Sequence, residues 1–473
     1  MTAPGPEVPL PEGWSIDLDR RARRTDGGRT LVGGAPLRVV RLTAAGARWL
    51  DGDRVPRSPG QHALARRLLD AGLAHPRPTP PAAIPSVAAV VPIHDDAAGL
   101  AVTRPHLAEA DEVVVVDDGS PAPVPDATLR HPEPLGPGRA RDAGWTATTA
   151  ELVAFVDADV TLPAGWLAAL AAHLADPRVG AVAPRVVARP GAAPDWLGRY
   201  EAVRSPLDLG PDPALVRPGS PVPYVPTTVL LVRRSALQAV GGFDPDLRYG
   251  EDVDLVWRLA EAGWQVRYEP AVVATHPCRP TLRAWAGQRV AYGSSAAPLA
   301  VRHGDALAPL GTSPWSALAW GAVLAGHPVV GAAVAGSTTA ALVPKLEGMD
   351  RPGAEALRIA GLGHLWAGRA VADALRRPWW PLAALLAWRV PRTRPALAAA
   401  VVVPALLEHR ERRPRLDPLR WSALRLADDL AYGAGVWRGC WRARSLRPLV
   451  PALAGRIRGL GASARGGAGD GDR

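Results

Sequence analysis

Two groups of carboxylates sit where apolar runs stop. Asp117-Asp118-Gly119-Ser120 follows the four valines Val113 to Val116, and Asp157-Ala158-Asp159 ends the run Leu152 to Val156. A carboxylate at a strand exit can accept from a ribose hydroxyl or a pyrimidine ring NH. Two carboxylates one residue apart can share a divalent cation with the oxygens of a diphosphate, because Mg2+ and Mn2+ prefer oxygen and seldom need a full protein cage. Taken singly, each has a plainer reading: DDGS as an Asx turn, DAD as capping ahead of Thr161 and Pro163. Their spacing, one strand-helix-strand unit, is what joins them. Between them GPGRARDAGW puts Arg139 and Arg141 at a helix start, where guanidinium groups and free backbone N–H groups together suit a phosphate. A third group lies in GGFDPDLRYGEDVDLVWRL, where Gly250 precedes a helix with an apolar face of Val253, Val256, Trp257 and Ala260. Glu251 and Asp252 then fall in its first turn, stabilising the helix dipole or serving as a general base beside an acceptor hydroxyl. His276, in ATHPC after the run Ala271 to Ala274, offers an imidazole as a further metal ligand.

The elements that must position these residues follow from the texture of the chain. Val87 to Ile93, Val113 to Val116 and Leu152 to Val156 alternate with helical stretches, the pattern of an open, mostly parallel sheet with helices on both faces. Ligands bind outside the carboxyl ends of such strands, so Asp95, Asp117, Asp118, Asp157 and Asp159 are expected along one rim. Ahead of the sheet, residues 1 to about 75 read as a small separate module of strand, strand, helix, helix: Trp14 to Leu18, Leu37 to Leu42, Ala44 to Leu50 capped by Thr43, and Gln61 to Ala71. HPRPTPPAAIPS, residues 75–86, reads as a stiff extended linker. The boundaries expected are 1–80 for module and linker, 87–300 for the sheet domain and 301–473 for a helical apolar region.

Composition narrows the class. The chain has 473 residues, 48% hydrophobic, with 55 Lys+Arg against 45 Asp+Glu and a formal charge of +10. This excludes disorder as the main state. Lys345 is the single lysine, so the charge is an arginine charge, suited to nucleic acid, anionic lipid or a phosphorylated small molecule. Two cysteines cannot build a disulfide framework, and MTAPGPEVPL lacks the features of a secretion signal; the expected compartment is the cytoplasm. Residues 306–344 carry no Asp, Glu, Lys or Arg, and Trp421 to Leu446 combines apolar residues at helical spacing with Arg420, Arg425, Arg438, Arg442 and Arg444. Such a helix suits an anionic lipid surface, and a buried helical subdomain is the alternative. The membrane-associated reading, at the cytoplasmic side of the cell membrane, is the one favoured.

The ordered series VPIHDD, VVVVDDGS, RARDAG, FVDADV and GGFDPDLRYGEDVDLVWRL resembles family 2 glycosyltransferases of the GT-A fold over residues 87 to 300. The whole arrangement is most like the mycofactocin-biosynthesis branch of that family, and the first 75 residues are similar to peptide-recognition modules of the PqqD type, a winged-helix-like fold. The resemblance implies that Asp118 with Asp117 holds uracil and ribose of a UDP-sugar, that Pro92 and Ile93 line the nucleotide pocket, and that Arg141 steadies the nucleotide. It implies Mg2+ or Mn2+ on Asp159, assisted by Asp157 and His276, and Asp252 as base with Glu251 in support. Inversion at the anomeric carbon, UDP-glucose as donor and a short β-1,4-linked oligosaccharide on a peptide-derived redox cofactor are implied likewise. The usual Asn after the helix arginine is Asp142 here, and a QxxRW motif is absent, with only Gln288 and Arg289 near its place; long processive synthesis is therefore not expected. Two other readings stand beside this one. One is a glycosyltransferase of the same fold acting on a lipid-linked or cell-envelope glycan. The other is a basic winged-helix nucleic-acid-binding protein, disfavoured because residues 1–75 gather no positive charge on one helix and the expected rim is acidic.

Overall fold

The computed structural model describes residues 8–81, 83–189 and 194–453, so the first seven residues and residues 454–473 of the expected carboxy-terminal region lie outside the described residues. The amino-terminal segment holds β1 (Ser15–Leu18), β2 (Arg23–Thr25), β3 (Thr30–Gly33), β4 (Arg38–Arg41), α1 (Ala44–Asp51), α2 (Pro59–Asp70) and β5 (Ala74–Arg77). Thr43 caps α1 by accepting from Gly46 N, and Ser58 caps α2 with Pro59 next to it. The sequence reading has only β1 and β4 as strands; β2 and β3 flank the turn TDGGR and are too short to show alternation. β5 takes the first residues of the proline-rich stretch into an antiparallel pair with β1, so the linker starts later than residue 75. Trp14, Leu31, Leu50 and Leu68 close a core of their own beneath these elements.

The middle of the chain runs β6 (Val87–Ile93), α3 (Ala97–Thr103), β7 (Glu112–Asp117), β8 (Leu129–Arg130), α4 (Pro137–Thr146), β9 (Leu152–Val156), α5 (Trp166–Ala171), β10 (Val179–Arg189), α6 (Asp195–Arg204), β11 (Ala214–Val216), β12 (Val229–Arg233), α7 (Arg234–Val240), α8 (Glu251–Glu261) and β13 (Gln265–Pro277). One eight-stranded sheet results, in the order β11-β13-β10-β12-β9-β6-β7-β8. β9, β6, β7 and β8 are parallel neighbours, while β12 is antiparallel to both β9 and β10. Alternate residues serve opposite layers: Val87, Ala89 and Val91 pack with Leu100 and Trp166, whereas Val90, Val153 and Phe155 pack with Ala140, Leu237 and Leu255. Burial on both faces is why these strands read as continuous apolar runs.

The remaining elements are α9 (Leu282–Ser294), α10 (Ala296–His303), β14 (Gly311–Thr312), α11 (Pro314–Leu324), α12 (Pro328–Leu342), α13 (Pro352–Arg376), α14 (Trp380–Arg389), α15 (Arg394–Arg412), α16 (Pro418–Ala443) and β15 (Ala452–Leu453). Here α16 departs from the lipid-surface expectation. Trp421, Leu424, Val436 and Cys440 are buried, and Gly435 and Gly439 abut the carbonyls of Val290 and Ser294 in α9. A Cβ at position 435 would fall 2.2 Å from Val290 O, so the helices cross backbone to backbone. Arg425 turns inward to Asp429 and Glu408. Most of the large exposed apolar side chains lie on α11 to α15, Trp315, Val329, Trp366 and Trp388 among them, while α16 exposes Leu419 and Trp441.

Candidate active site

The carboxyl ends of β6, β7 and β9 form one rim. Asp118 N donates to Ile93 O at 2.8 Å and Asp157 N to Thr228 O at 2.9 Å, which fixes where the two acidic motifs leave the sheet. Asp117 is wholly buried, and its oxygens accept from Ser120 N (2.9 Å), from Val124 N (3.2 Å) and from Arg130. Burial works against its charge, yet these bonds and Arg130 hold the carboxyl below its ordinary range. Asp118 ties down the loop before α4, accepting from Leu135 N (2.9 Å), Gly136 N (2.8 Å) and facing His131 Nδ1 (2.8 Å). Gly119, at φ 66°, has Glu133 so close that a Cβ would lie 2.3 Å from its carbonyl carbon; only glycine suits this turn. DDGS thus builds the turn itself. Of its two acids, both expected at the nucleotide, Asp117 is the fully buried one, with both oxygens hydrogen-bonded inside the fold. Asp118 stays at the rim beside Pro92 and Ile93, which end β6.

The other candidates converge. Arg141, nearly buried on α4, donates to Asp157 Oδ1 at 2.7 Å and to Glu251 Oε1 at 3.1 Å, joining the DAD loop to the start of α8. Asp159 Oδ1 lies 3.3 Å from His276 Nε2. That approach is set by paired backbone bonds of 3.0 Å between Thr161 and Thr275, with the buried Thr103 hydroxyl holding Val160 N and O at 2.8 Å each. Burial raises Asp159 above its ordinary range; His276 and Arg279 oppose the shift, and Asp157 and Asp96 add to it. Burial likewise raises Glu251, against Arg141. Asp252 is pushed up to about 7 by burial and then by the Glu251 charge, although Val253 N donates to it at 2.8 Å and Arg141 is near. A carboxylate poised near neutrality at a helix start fits a general base. Arg139 lies outside this cluster, exposed, with Nε on Pro245 O.

Two tyrosines outside every motif, and two motif acids with no expected role, complete the surroundings. Tyr224 and Tyr292 stand near Asp252: burial and then the Asp252 charge raise both phenols, Tyr292 up to about 12. The Tyr292 hydroxyl accepts from Gln288 at 3.0 Å. Asp142, where the family has Asn, accepts from Trp145 Nε1 (2.7 Å) and Phe243 N (3.0 Å), pinning the GGF loop against α4, so its role is structural. Asp254, the third acid of EDVD, is spent on Arg258 (2.7 Å) and His303 (2.9 Å).

The residues fit a divalent metal in a limited way. Among the described residues no three His, Cys, Asp or Glu side chains converge on one point. Asp159 and His276 offer oxygen and imidazole, their carboxylate surroundings leave negative charge uncompensated, and Asp157 is engaged by Arg141. A hard cation that keeps waters and takes phosphate oxygens needs no more than such a pair.

A family model described as glycosyl transferase family group 2 matches residues 152–346. The chain is 40% identical over 466 residues to the pre-mycofactocin glycosyltransferase of Mycobacterium tuberculosis, covering 94% of this chain and 98% of the relative. A rhamnosyltransferase of the same organism, N-acetylglucosaminyl-diphospho-decaprenol L-rhamnosyltransferase, is 49% identical over 57 residues, 12% of this chain and 19% of that one. Among solved structures, a mannosyltransferase from Pyrobaculum calidifontis in complex with GDP-Man and Mn2+ is similar with a TM-score of 0.37 at 21% identity, over 74% of this chain and 89% of that one. The chain belongs to the family 2 glycosyltransferases. It is a hexosyltransferase, and its similarity to the pre-mycofactocin glycosyltransferase runs over nearly the whole of both chains.

Proposed function

We propose that this glycosyltransferase moves glucose from UDP-glucose to a peptide-derived redox cofactor of the mycofactocin type, inverting the anomeric carbon and building a short β-1,4-linked oligosaccharide. The observation that carries the mechanism is the convergence of Asp252, raised to about 7, with the Arg141 bridge and the Asp159–His276 pair on one rim. The donor lies along the ends of β6 and β9, with Asp118, Pro92 and Ile93 around the uridine. Arg141 positions rather than contacts, since its two bonds lock Asp157 and Glu251 in place. Asp252 takes the proton from the acceptor hydroxyl as oxygen attacks the anomeric carbon opposite the UDP, and Tyr224 and Tyr292 wall the acceptor side. Mg2+ or Mn2+, held by Asp159 with His276, would supply charge stabilisation to the departing diphosphate. The 40% identical relative's name supports the acceptor, and a PqqD-like role for residues 1–80 would be to present the peptide part.

We also place the enzyme against the cytoplasmic face of the membrane. Pro328–Leu346 is long and apolar enough to cross a bilayer by length and composition, with mean hydropathy 1.4, and it is mostly exposed. The same exposed apolar surface favours, as second reading, an acceptor that is itself lipid-linked. Incubating the full chain with a panel of UDP-sugars, Mg2+ or Mn2+, and either peptide-derived or lipid-linked acceptors decides. Hexose gain on the peptide-derived acceptor from UDP-glucose alone is expected; transfer only to the lipid-linked acceptor would install the second reading.

A further inference from the structure

A wide crevice is lined by none of the acidic or basic residues of the rim. It has a volume of ≈1690 Å³ and lies between the β3–β4 turn and helices α11, α12 and α13. Pockets for small metabolites usually span about 300–1,000 Å³, so its size suits a longer ligand. Its two long walls are stripes at helical spacing, Val334 and Ala341 on α12 and Ile359, Leu362 and Trp366 on α13. From Arg358 to Ala370 the α13 wall is about 18 Å long at ~1.5 Å per residue. Polar groups in the wall satisfy one another: His364 bonds Ser316 Oγ at 3.0 Å and Thr338 Oγ1 at 2.8 Å. The trough therefore asks nothing of its occupant but apolar surface.

Charge is concentrated at one end. No Asp or Glu lines the crevice, while Arg21, Arg23, Lys345 and Arg358 do. Arg23 is committed to Glu355 and Arg21 to Asp212. Lys345 and Arg358 have no carboxylate partner among the described residues, and both sit where α12 ends and α13 begins, at the mouth facing the amino-terminal strands. An anionic head with a long hydrocarbon tail is the ligand class that matches both ends, the lysine serving as a compact phosphate contact.

We propose that this crevice holds one anionic phospholipid of the bilayer, its phosphate on Lys345 and Arg358 and one acyl chain in the trough between α12 and α13. The proposal rests on the membrane placement proposed above. Its test uses the full-length chain: flotation with vesicles of phosphatidylcholine alone or mixed with phosphatidylglycerol, and native mass spectrometry of the detergent-purified chain titrated with each lipid. A single phosphatidylglycerol retained per chain, in preference to phosphatidylcholine, is expected. The variant K345Q/R358Q should weaken retention by about five-fold for each cation removed. Gly363→Trp should block retention while melting like the parent, because a Cβ there meets nothing within 4 Å. If the parent floats with neither vesicle, the membrane placement fails and the crevice proposal with it. If it floats but retains no phosphatidylglycerol, or if both variants retain it as the parent does, the crevice proposal falls and the placement stands.

Discussion

Buried charge is handled in opposite ways at the sheet rim and in the α16 bundle. In the bundle one carboxylate, Asp429, is met by Arg376, Arg377 and Arg425. Burial works against its charge, and the three guanidinium groups hold it below its ordinary range. At the rim the balance reverses: Asp157, Asp159, Glu251 and Asp252 gather about Arg141 and His276, and three of these carboxyls are raised. An acid surrounded by bases is finished; acids short of cations await a charged ligand. The two regions contain the same residue types, so the ratio of acids to cations around a buried group is what distinguishes the proposed site from the α16 bundle.

The rim should break on chemistry and keep its fold. Asp252→Asn is expected to lose transfer by about 10²–10⁴-fold while binding UDP as before, read by product formation and calorimetry. In the parent, transfer should rise with pH through about 7, as Asp252 ionises. The stability sign is the reverse. Between the ordinary carboxylate range and about 7 the folded chain keeps a proton that the unfolded chain has lost, so stability falls as pH rises through that window. Asp252→Asn should therefore melt higher than the parent at pH 8 and no higher at pH 4. Asp159→Ala should cost on the order of 100-fold or more in metal-dependent turnover without lowering the melting temperature. An active Asp159→Ala enzyme would remove the metal assignment.

The bundle should break on stability. Asp429→Ala removes the buried carboxylate that Arg376, Arg377 and Arg425 share and leaves Arg376 with Asp373 and Arg425 with Glu408 and Asp373, a loss of up to about 3–5 kcal/mol for opening such a network. Urea unfolding should show it, and the chain that remains folded should transfer at the parent rate per molecule. A rate loss exceeding the unfolded fraction would mean that α16 takes part in the site.

Legibility in the sequence follows the same divide. The rim was readable because β6, β7 and β9 are buried on both faces, so their apolar runs end abruptly at Asp95, Asp117 and Asp157. Position alone did not distinguish Asp117, spent on its own turn, from Asp159, which faces His276; that needs the third dimension. Arg141 to Glu251 joins residues 110 apart, and Tyr224 and Tyr292 belong to no motif, so none of these could be read in advance. In α16 the pattern of apolar residues and arginines is the same whether the apolar face meets lipid or α9. Periodicity reports that a face is covered and not by what.

That ambiguity can be tested at two exposed tryptophans. Trp441 lies on α16, 81% exposed, and Trp388 on α14, 68% exposed. A surface position away from caps and cores changes stability by no more than about 0.5 kcal/mol, so Trp388→Ser and Trp441→Ser should both melt with the parent. They should differ on vesicles. Trp388 stands among exposed Leu382 and Leu385 on its own helix, whereas the other large exposed apolar side chain of α16, Leu419, lies at the opposite end of that helix from Trp441. Replacing Trp388 should weaken flotation with anionic vesicles measurably, and replacing Trp441 should change it little. The opposite ranking would return the lipid contact to α16 and show that the basic helix grips the membrane by its outer face while its inner face holds α9.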